Sequence, residues 1–157
     1  MYDFSDKVAV VTGGGGGLGK AVCLCLARDG ASVVVAGRTK EKLVKVGDEV
    51  KRNGGRAIAV KVDVSKSTAV KKMVDVAIAN FGKIDILMNI AGIDMVGRVV
   101  DLTEKEWDLV METNVKSQFL CCKYVLPHMI RQRSGKIVNM ASVAGKTGSA
   151  FYRKASG

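Results

Sequence analysis

A doubly wound α/β fold, with a parallel sheet covered by helices on both faces, is predicted by three features of this sequence. The apolar run Val8-Ala9-Val10-Val11 leads straight into the glycine turn Thr12-Gly13-Gly14-Gly15-Gly16-Gly17-Leu18-Gly19. Ala21, Val22, Cys25 and Leu26 then follow at helical spacing. Beyond them, apolar runs of strand length alternate with amphipathic stretches as far as Ala141. Such alternation calls for right-handed crossovers and strands buried on both faces. A chain of 157 residues suits one domain, 1–157, and 48% hydrophobic content is ample for its core.

The elements read in order. The first strand spans Lys7–Val11, and the helix after the glycine turn runs from about Gly19 to Arg28, stopped by Asp29-Gly30. Ser32–Ala36 is a second strand. Thr39 is placed to cap a helix carrying Leu43, Val46 and Val50, which Asn53-Gly54-Gly55 ends. Ala57–Val62 reads as the third strand, and Ser65 as the cap of a helix with Val70, Met73, Val74, Ala77 and Ile78 on one face. Ile84–Ile90 is the fourth strand. Thr103-Glu104-Lys105-Glu106 fits a capping box, and the helix it opens carries the stripe Trp107, Val110, Met111, Val115, Phe119 and Cys122, expected to face the core. Pro127 kinks or ends that helix, and Lys136–Ala141 is the fifth strand.

The glycine turn suits a diphosphate. Without side chains the backbone can approach an anion closely, and the following helix offers free N–H groups and the positive end of its dipole. A flexible linker has the same composition, so the flanking strand and helix decide the reading.

Composition excludes several function classes. The apolar runs are too short for a membrane span, and an N-terminus with Asp3 and Asp6 does not read as a signal peptide. Cys23, Cys25, Cys121 and Cys122 have no zinc-ligand spacing, so they read as reduced packing residues of a cytoplasmic protein with no metal. His128, the only histidine, lies beside Pro127, where no triad assembles around it. The net charge of +10 is uneven: residues 1–112 hold 17 basic and 15 acidic side chains, residues 113–157 hold 8 basic and none acidic. The basic residues of that tail are dispersed among apolar patterns rather than clustered with aromatics, which argues against nucleic acid as a partner.

Five signatures stand in register: the glycine turn, Asp63-Val64 after the third strand, Asn89-Ile90-Ala91-Gly92 ending the fourth, Asn114 on the long helix, and Asn139-Met140-Ala141-Ser142 ending the fifth. Together they resemble the short-chain dehydrogenase/reductase family over nearly the whole chain to Ser142. The resemblance implies a Rossmann-type parallel sheet of order 3-2-1-4-5, incomplete at its C-terminus because the family's later strands do not follow. It implies cofactor contacts from Gly13, Gly17, Leu18, Gly19, Asp63, Val64, Asn89, Ala91 and Gly92. Asp63 and Val64 would meet the adenine, Asn89 would brace neighbouring strands, and Ala91 and Gly92 would admit the nicotinamide ribose. Read without the family, Asp63 has the lesser alternative of a helix-capping carboxylate and Asn89 that of a turn residue.

Cofactor preference rests on the residues after the second strand. Gly37 offers no carboxylate for the ribose hydroxyls, while Arg38 could pair with a 2′-phosphate, which favours NADP(H) over NAD(H). For catalysis the resemblance makes Ser142 the group that polarises a carbonyl and Asn114 the holder of a relay water. The family's acid/base is a tyrosine with a lysine four residues later, on one helical face. Here Tyr152 is followed at that spacing by Ser156, and Lys154 stands only two residues on. The leading expectation is an oxidoreductase moving a hydride between NADP(H) and a small alcohol or ketone, in a homo-oligomer of two or four chains. The competing expectation is a non-catalytic nucleotide-binding remnant that associates with another subunit.

Overall fold

The computed structural model describes residues 2–95 and 97–143. Tyr152 and Lys154 lie outside the described residues. Five parallel strands, β1 (Val8–Thr12), β2 (Ser32–Gly37), β3 (Arg56–Lys61), β4 (Ile86–Asn89) and β5 (Lys136–Asn139), form one sheet in the order β3-β2-β1-β4-β5. The expected doubly wound topology is therefore present. Its register sets Thr12 beside Ala36 on one flank and beside Asn89 on the other, and Asn89 beside Asn139. All the strand ends that carry the sequence signatures thus emerge along one edge of the sheet.

The helices are α1 (Gly17–Arg28), α2 (Lys40–Arg52), α3 (Ser67–Phe81), α4 (Glu104–Met111) and α5 (Ser117–Gln132), with a π-turn over Glu112–Lys116 joining the last two. Alternate strand residues serve opposite faces, as the two-residue side-chain period requires. Val10, Val34 and Leu87 meet α3 through Met73 and Val74, and α5 through Leu120, Val125 and Met129. Val11, Val33 and Val35 meet α1 through Cys23, and α2 through Leu43, Val46 and Val50. With both faces covered, the runs Val8–Val11 of β1 and Val33–Ala36 of β2 are continuously apolar and buried rather than alternating. At the far end of the sheet, Asp85 receives the Val8 N–H at 2.9 Å and lies 3.3 Å from the Lys83 ammonium, fixing β1 against β4.

Four expectations need correction. Helix α3 is preceded by Lys66 rather than capped by Ser65, because Ser65 instead donates both its N–H and its hydroxyl to Asp63. Pro127 sits within α5, which continues to Gln132. Cys25 is exposed, whereas Cys23 and Cys121 are buried. Trp107, Met111, Val115 and Phe119 do not face the sheet, and Trp107 is 60% exposed. The helix meets the sheet instead along Leu120, Cys121, Val125 and Met129, one turn-face away. Thr103 and Glu106 do form the reciprocal capping box that the sequence predicts. Among the described residues, no helix is long and apolar enough to cross a membrane.

Candidate functional site

Four strand ends converge on a cleft of about 400 Å³. Its walls are the glycine turn after β1, Gly37 and Arg38 after β2, Val62–Val64 after β3, and Ile90–Gly92 after β4, with Thr113 and Met140 on the far side. The carboxyl edge of an open parallel sheet, where strand order reverses, is where such folds bind ligands.

The glycine turn is built by close approach. Gly13 has a φ of +71°, and a Cβ there would stand 3.0 Å from the Ala91 backbone. A Cβ on Gly19 would overlap the Gly13 carbonyl, so only glycine lets α1 start this near the strand. Gly14 N–H donates to the Ala36 carbonyl at 2.9 Å, tying the turn to β2. The position of Gly16 is different in kind: its backbone is extended and nothing lies within 4 Å of a Cβ placed there. No side chain caps α1, and its first-turn N–H groups have no carbonyl within the helix. An open glycine face beside an uncapped helix start fits a pyrophosphate.

Thr12 holds the opposite wall. Its hydroxyl donates to the Met88 carbonyl at 3.3 Å and accepts from the N–H groups of Ile90 and Ala91 at 3.1 and 3.2 Å. One buried side chain thereby fixes the segment that carries Ala91 and Gly92. Asn114 fixes the next residues, since its side-chain amide is bonded to both backbone groups of Ile93. Asn89 is 2% exposed and does not line the cleft. It donates to Asn139 at 2.8 Å across the β4–β5 pair, as a brace would, while its Oδ1 has no partner among the described residues.

Where β2 and β3 end, Asp63 Oδ1 accepts from Ser65 N–H at 3.0 Å and Ser65 Oγ at 2.8 Å. Partial desolvation pushes its carboxyl up, but the two Ser65 bonds, with the charges of Lys66 and Arg38, outweigh that and hold it below its ordinary value of 3.8. Asp63 thus ties down the turn that precedes α3 and also lines the cleft, whereas the helix itself is not capped by it. Ser142 lies on an adjoining cavity of about 440 Å³ that shares Ile90, Ala91 and Met140 with the cleft. Gln118 Nε2 donates to the Met140 carbonyl at 2.9 Å, fastening the segment that bears Ser142 to α5. Among the described residues, no group of three His, Cys, Asp or Glu side chains could hold a metal.

The family model for short chain dehydrogenases matches residues 7–154. This chain belongs to the short-chain dehydrogenase/reductase family. It is 40% identical to the 3-oxoacyl-[acyl-carrier-protein] reductase FabG of Staphylococcus epidermidis over 146 residues, covering 92% of this chain and 59% of that protein. A short chain dehydrogenase of Pseudocercospora fijiensis is 43% identical over 139 residues, covering 87% of this chain and 45% of that one. Among solved structures, an NAD+-bound xylitol dehydrogenase superposes with a TM-score of 0.90 at 37% identity, covering 93% of this chain and 56% of its own. The chain therefore spans less than two-thirds of the length of these relatives.

Of the predicted cofactor residues, this short-chain dehydrogenase chain brings Gly13, Leu18, Gly19, Arg38, Asp63, Val64, Ala91 and Gly92 to one cleft. Gly17 starts α1 at a φ of +50° and lies outside the cleft wall. Sequence reasoning missed Thr113 and Gln118 as site-forming residues, and the bracing role of the Thr12 hydroxyl. The last could have been found by asking which buried hydroxyl serves the peptide groups leaving β4. Thr113 depends on the π-turn, for which the sequence carries no period.

Proposed function

We propose that this chain forms the cofactor-binding part of an NADP(H)-dependent oxidoreductase that interconverts an alcohol and a ketone. The observation that carries the reading is the single cleft joining the glycine turn, Arg38, Asp63 and the Ala91-Gly92 wall. In this reading the glycine turn and the start of α1 hold the pyrophosphate, Asp63 and Val64 the adenine, and Arg38 the 2′-phosphate. Ala91 and Gly92 leave room for the nicotinamide ribose. The xylitol dehydrogenase of similar fold binds NAD+, so the NADP(H) preference rests on Gly37 and Arg38 alone.

When bound, the nicotinamide supplies or accepts the hydride. Ser142, on the cavity beside Ala91, donates a hydrogen bond to the substrate oxygen and so stabilises charge developing there. Asn114 has its side chain committed to Ile93, and serves the proton path by fixing that segment. Tyr152 passes the proton and Lys154 favours its ionised form. Free thiols at Cys23, Cys25, Cys121 and Cys122 support a reducing, cytoplasmic setting.

The exposed stripe Trp107, Met111, Val115 and Phe119 supports a homo-oligomer, with a second copy of the chain as its cover. The function is tested by titrating the chain with NADPH while following melting temperature, then assaying ketone reduction. Saturable stabilisation and turnover lost in Tyr152→Phe are expected; no stabilisation by NADPH or NADH would refute the cofactor reading.

A further inference from the structure

Both backbone groups of Met140 are held. Its N–H donates to the Asn89 carbonyl at 2.9 Å, and its carbonyl accepts from Gln118 Nε2 at 2.9 Å. The first bond comes from the neighbouring strand and the second from α5, so the chain leaving β5 is fixed from two directions. That exit needs fixing, because among the described residues β5 is an edge strand with β4 as its one neighbour. Ser142 follows two residues on, and Met140 forms part of both the cofactor cleft and the cavity that Ser142 lines.

Gln118 does for β5 what Asn114 does for β4. The two amides stand four residues apart and line the same cavity beside Ser142. Asn114 holds Ile93 on the β4 side, and Gln118 holds Met140, the first residue beyond β5. One side of this helical rod therefore sets the spacing between the two strand exits. Strand pairing itself does not need Gln118, since the backbone register sets Ile86 beside Lys136 and Asn89 beside Asn139. The bond is half-exposed and adds little to stability, because the Met140 carbonyl would otherwise bond water. What it adds is position.

We infer that Gln118 is the positioning residue of Ser142: by holding the Met140 carbonyl, it fixes where the serine hydroxyl stands relative to the Ala91-Gly92 wall. This rests on the oxidoreductase reading above and deepens it. Ser142 polarises the oxygen of a ketone only from within hydrogen-bond reach of it. Such groups must be held to within about 0.5 Å, and a misplacement of about 1 Å costs on the order of a hundredfold in rate. A tether from a packed helix supplies that precision to a segment leaving an edge strand.

The test uses Gln118→Ala and Gln118→Glu in the intact chain, with acetone, cyclohexanone and ethyl acetoacetate as probe ketones. Gln118→Ala is expected to lower kcat roughly tenfold, with NADPH affinity by calorimetry within about twofold of wild type. Gln118→Glu keeps the side chain's volume and stays informative if Gln118→Ala melts early. Its carboxylate cannot donate to the Met140 carbonyl, whereas the protonated acid can. The ratio of its kcat to that of wild type is therefore expected to rise as pH falls from about 8 to about 5. Hydrogen exchange gives a readout independent of turnover. The Met140 amide is expected to exchange faster in Gln118→Ala, while the Lys136 amide, bonded to the Asp85 carbonyl at the other end of β5, keeps its rate. A wild type that reduces none of the ketones overturns the oxidoreductase reading, and faster Met140 exchange would still support the tether. Wild-type turnover with unchanged kcat in Gln118→Ala, or unchanged Met140 exchange, overturns the role of Gln118 alone. A loss in Gln118→Glu that acid does not restore would make the side chain a packing residue and overturn that role too.

Discussion

Asn114 clasps Ile93 at both ends of its peptide backbone: Oδ1 accepts the Ile93 N–H at 2.8 Å and Nδ2 donates to the Ile93 carbonyl at 2.8 Å. The clasp depends on the π-turn, whose extra residue re-aims the side chains of Glu112–Lys116. Thr113 then faces the cleft while its neighbour holds the segment that forms the cleft's wall. Removing the clasp leaves two backbone groups to find water. Asn114→Ala is expected to cost about 1–3 kcal/mol, a drop of several degrees in melting temperature. Hydrogen exchange at the Ile93 amide is the specific readout, because it accelerates only if that peptide loses its partner. Unchanged exchange would refute the clasp.

Gly16 and Gly19 separate binding from folding. Alanine at Gly19 meets the Gly13 carbonyl and must displace α1 from the sheet, so a large loss of stability is expected. Alanine at Gly16 meets no protein atom and keeps an extended backbone, so its melting temperature is expected within about 1 °C of wild type. Its methyl projects from the open side of the turn, where the pyrophosphate is proposed to sit. Loss of NADPH binding in Gly16→Ala without loss of stability would match; unchanged affinity would place the phosphates elsewhere.

Asp63 gives a pH dependence with a definite sign. Its folded-state carboxyl lies below the ordinary 3.8, so its contribution is complete above that value. It is lost as pH falls through the lower folded value. The melting-temperature difference between wild type and Asp63→Asn is therefore expected to stay constant from pH 7 to about pH 5 and to shrink below about pH 4. Taking the difference isolates Asp63 from Glu106 and Glu112, whose carboxyls are also held low by their partners. A difference that grows on acidification would reverse the sign.

The sheet order and the cleft were legible because parallel strands buried on both faces read as apolar runs, and because their carboxyl ends carry distinctive polar and glycine residues. Asp63, Ala91 and Gly92 stand where those ends predict. The face of α4 and α5 was not legible, for a physical reason. The stripe Trp107, Met111, Val115, Phe119 keeps a clean four-residue spacing, yet Cys121, Val125 and Met129, with Leu120 beside them, keep one too. Periodicity shows that a helix has an apolar side; with two, it does not say which meets the sheet. The π-turn adds to this by shifting the helical phase at Glu112–Lys116.

The second apolar stripe yields the last prediction. Asp108 and Glu112 flank its groove at the N-terminal end, Lys116 stands at its middle beside Phe119, and Lys123 lies 5.9 Å above the Phe119 ring. Acidic residues dominate the first half of this helical rod, and its second half, from Ser117 to Arg133, contains only basic ones. A two-fold axis near Val115 and Phe119 would lay two rods antiparallel and set each acidic end against the other's basic end. Wild type is accordingly expected to sediment as a dimer at tens of micromolar, a range accessible to specific interfaces of ordinary size. Asp108→Lys alone and Lys123→Glu alone are each expected to shift the chain toward monomer. An equimolar mixture of the two variants, refolded together, is expected to recover dimer, because the reversed charges again face opposite partners. A monomeric wild type, or a mixture that fails to recover dimer while both variants melt like wild type, would rule out this antiparallel arrangement.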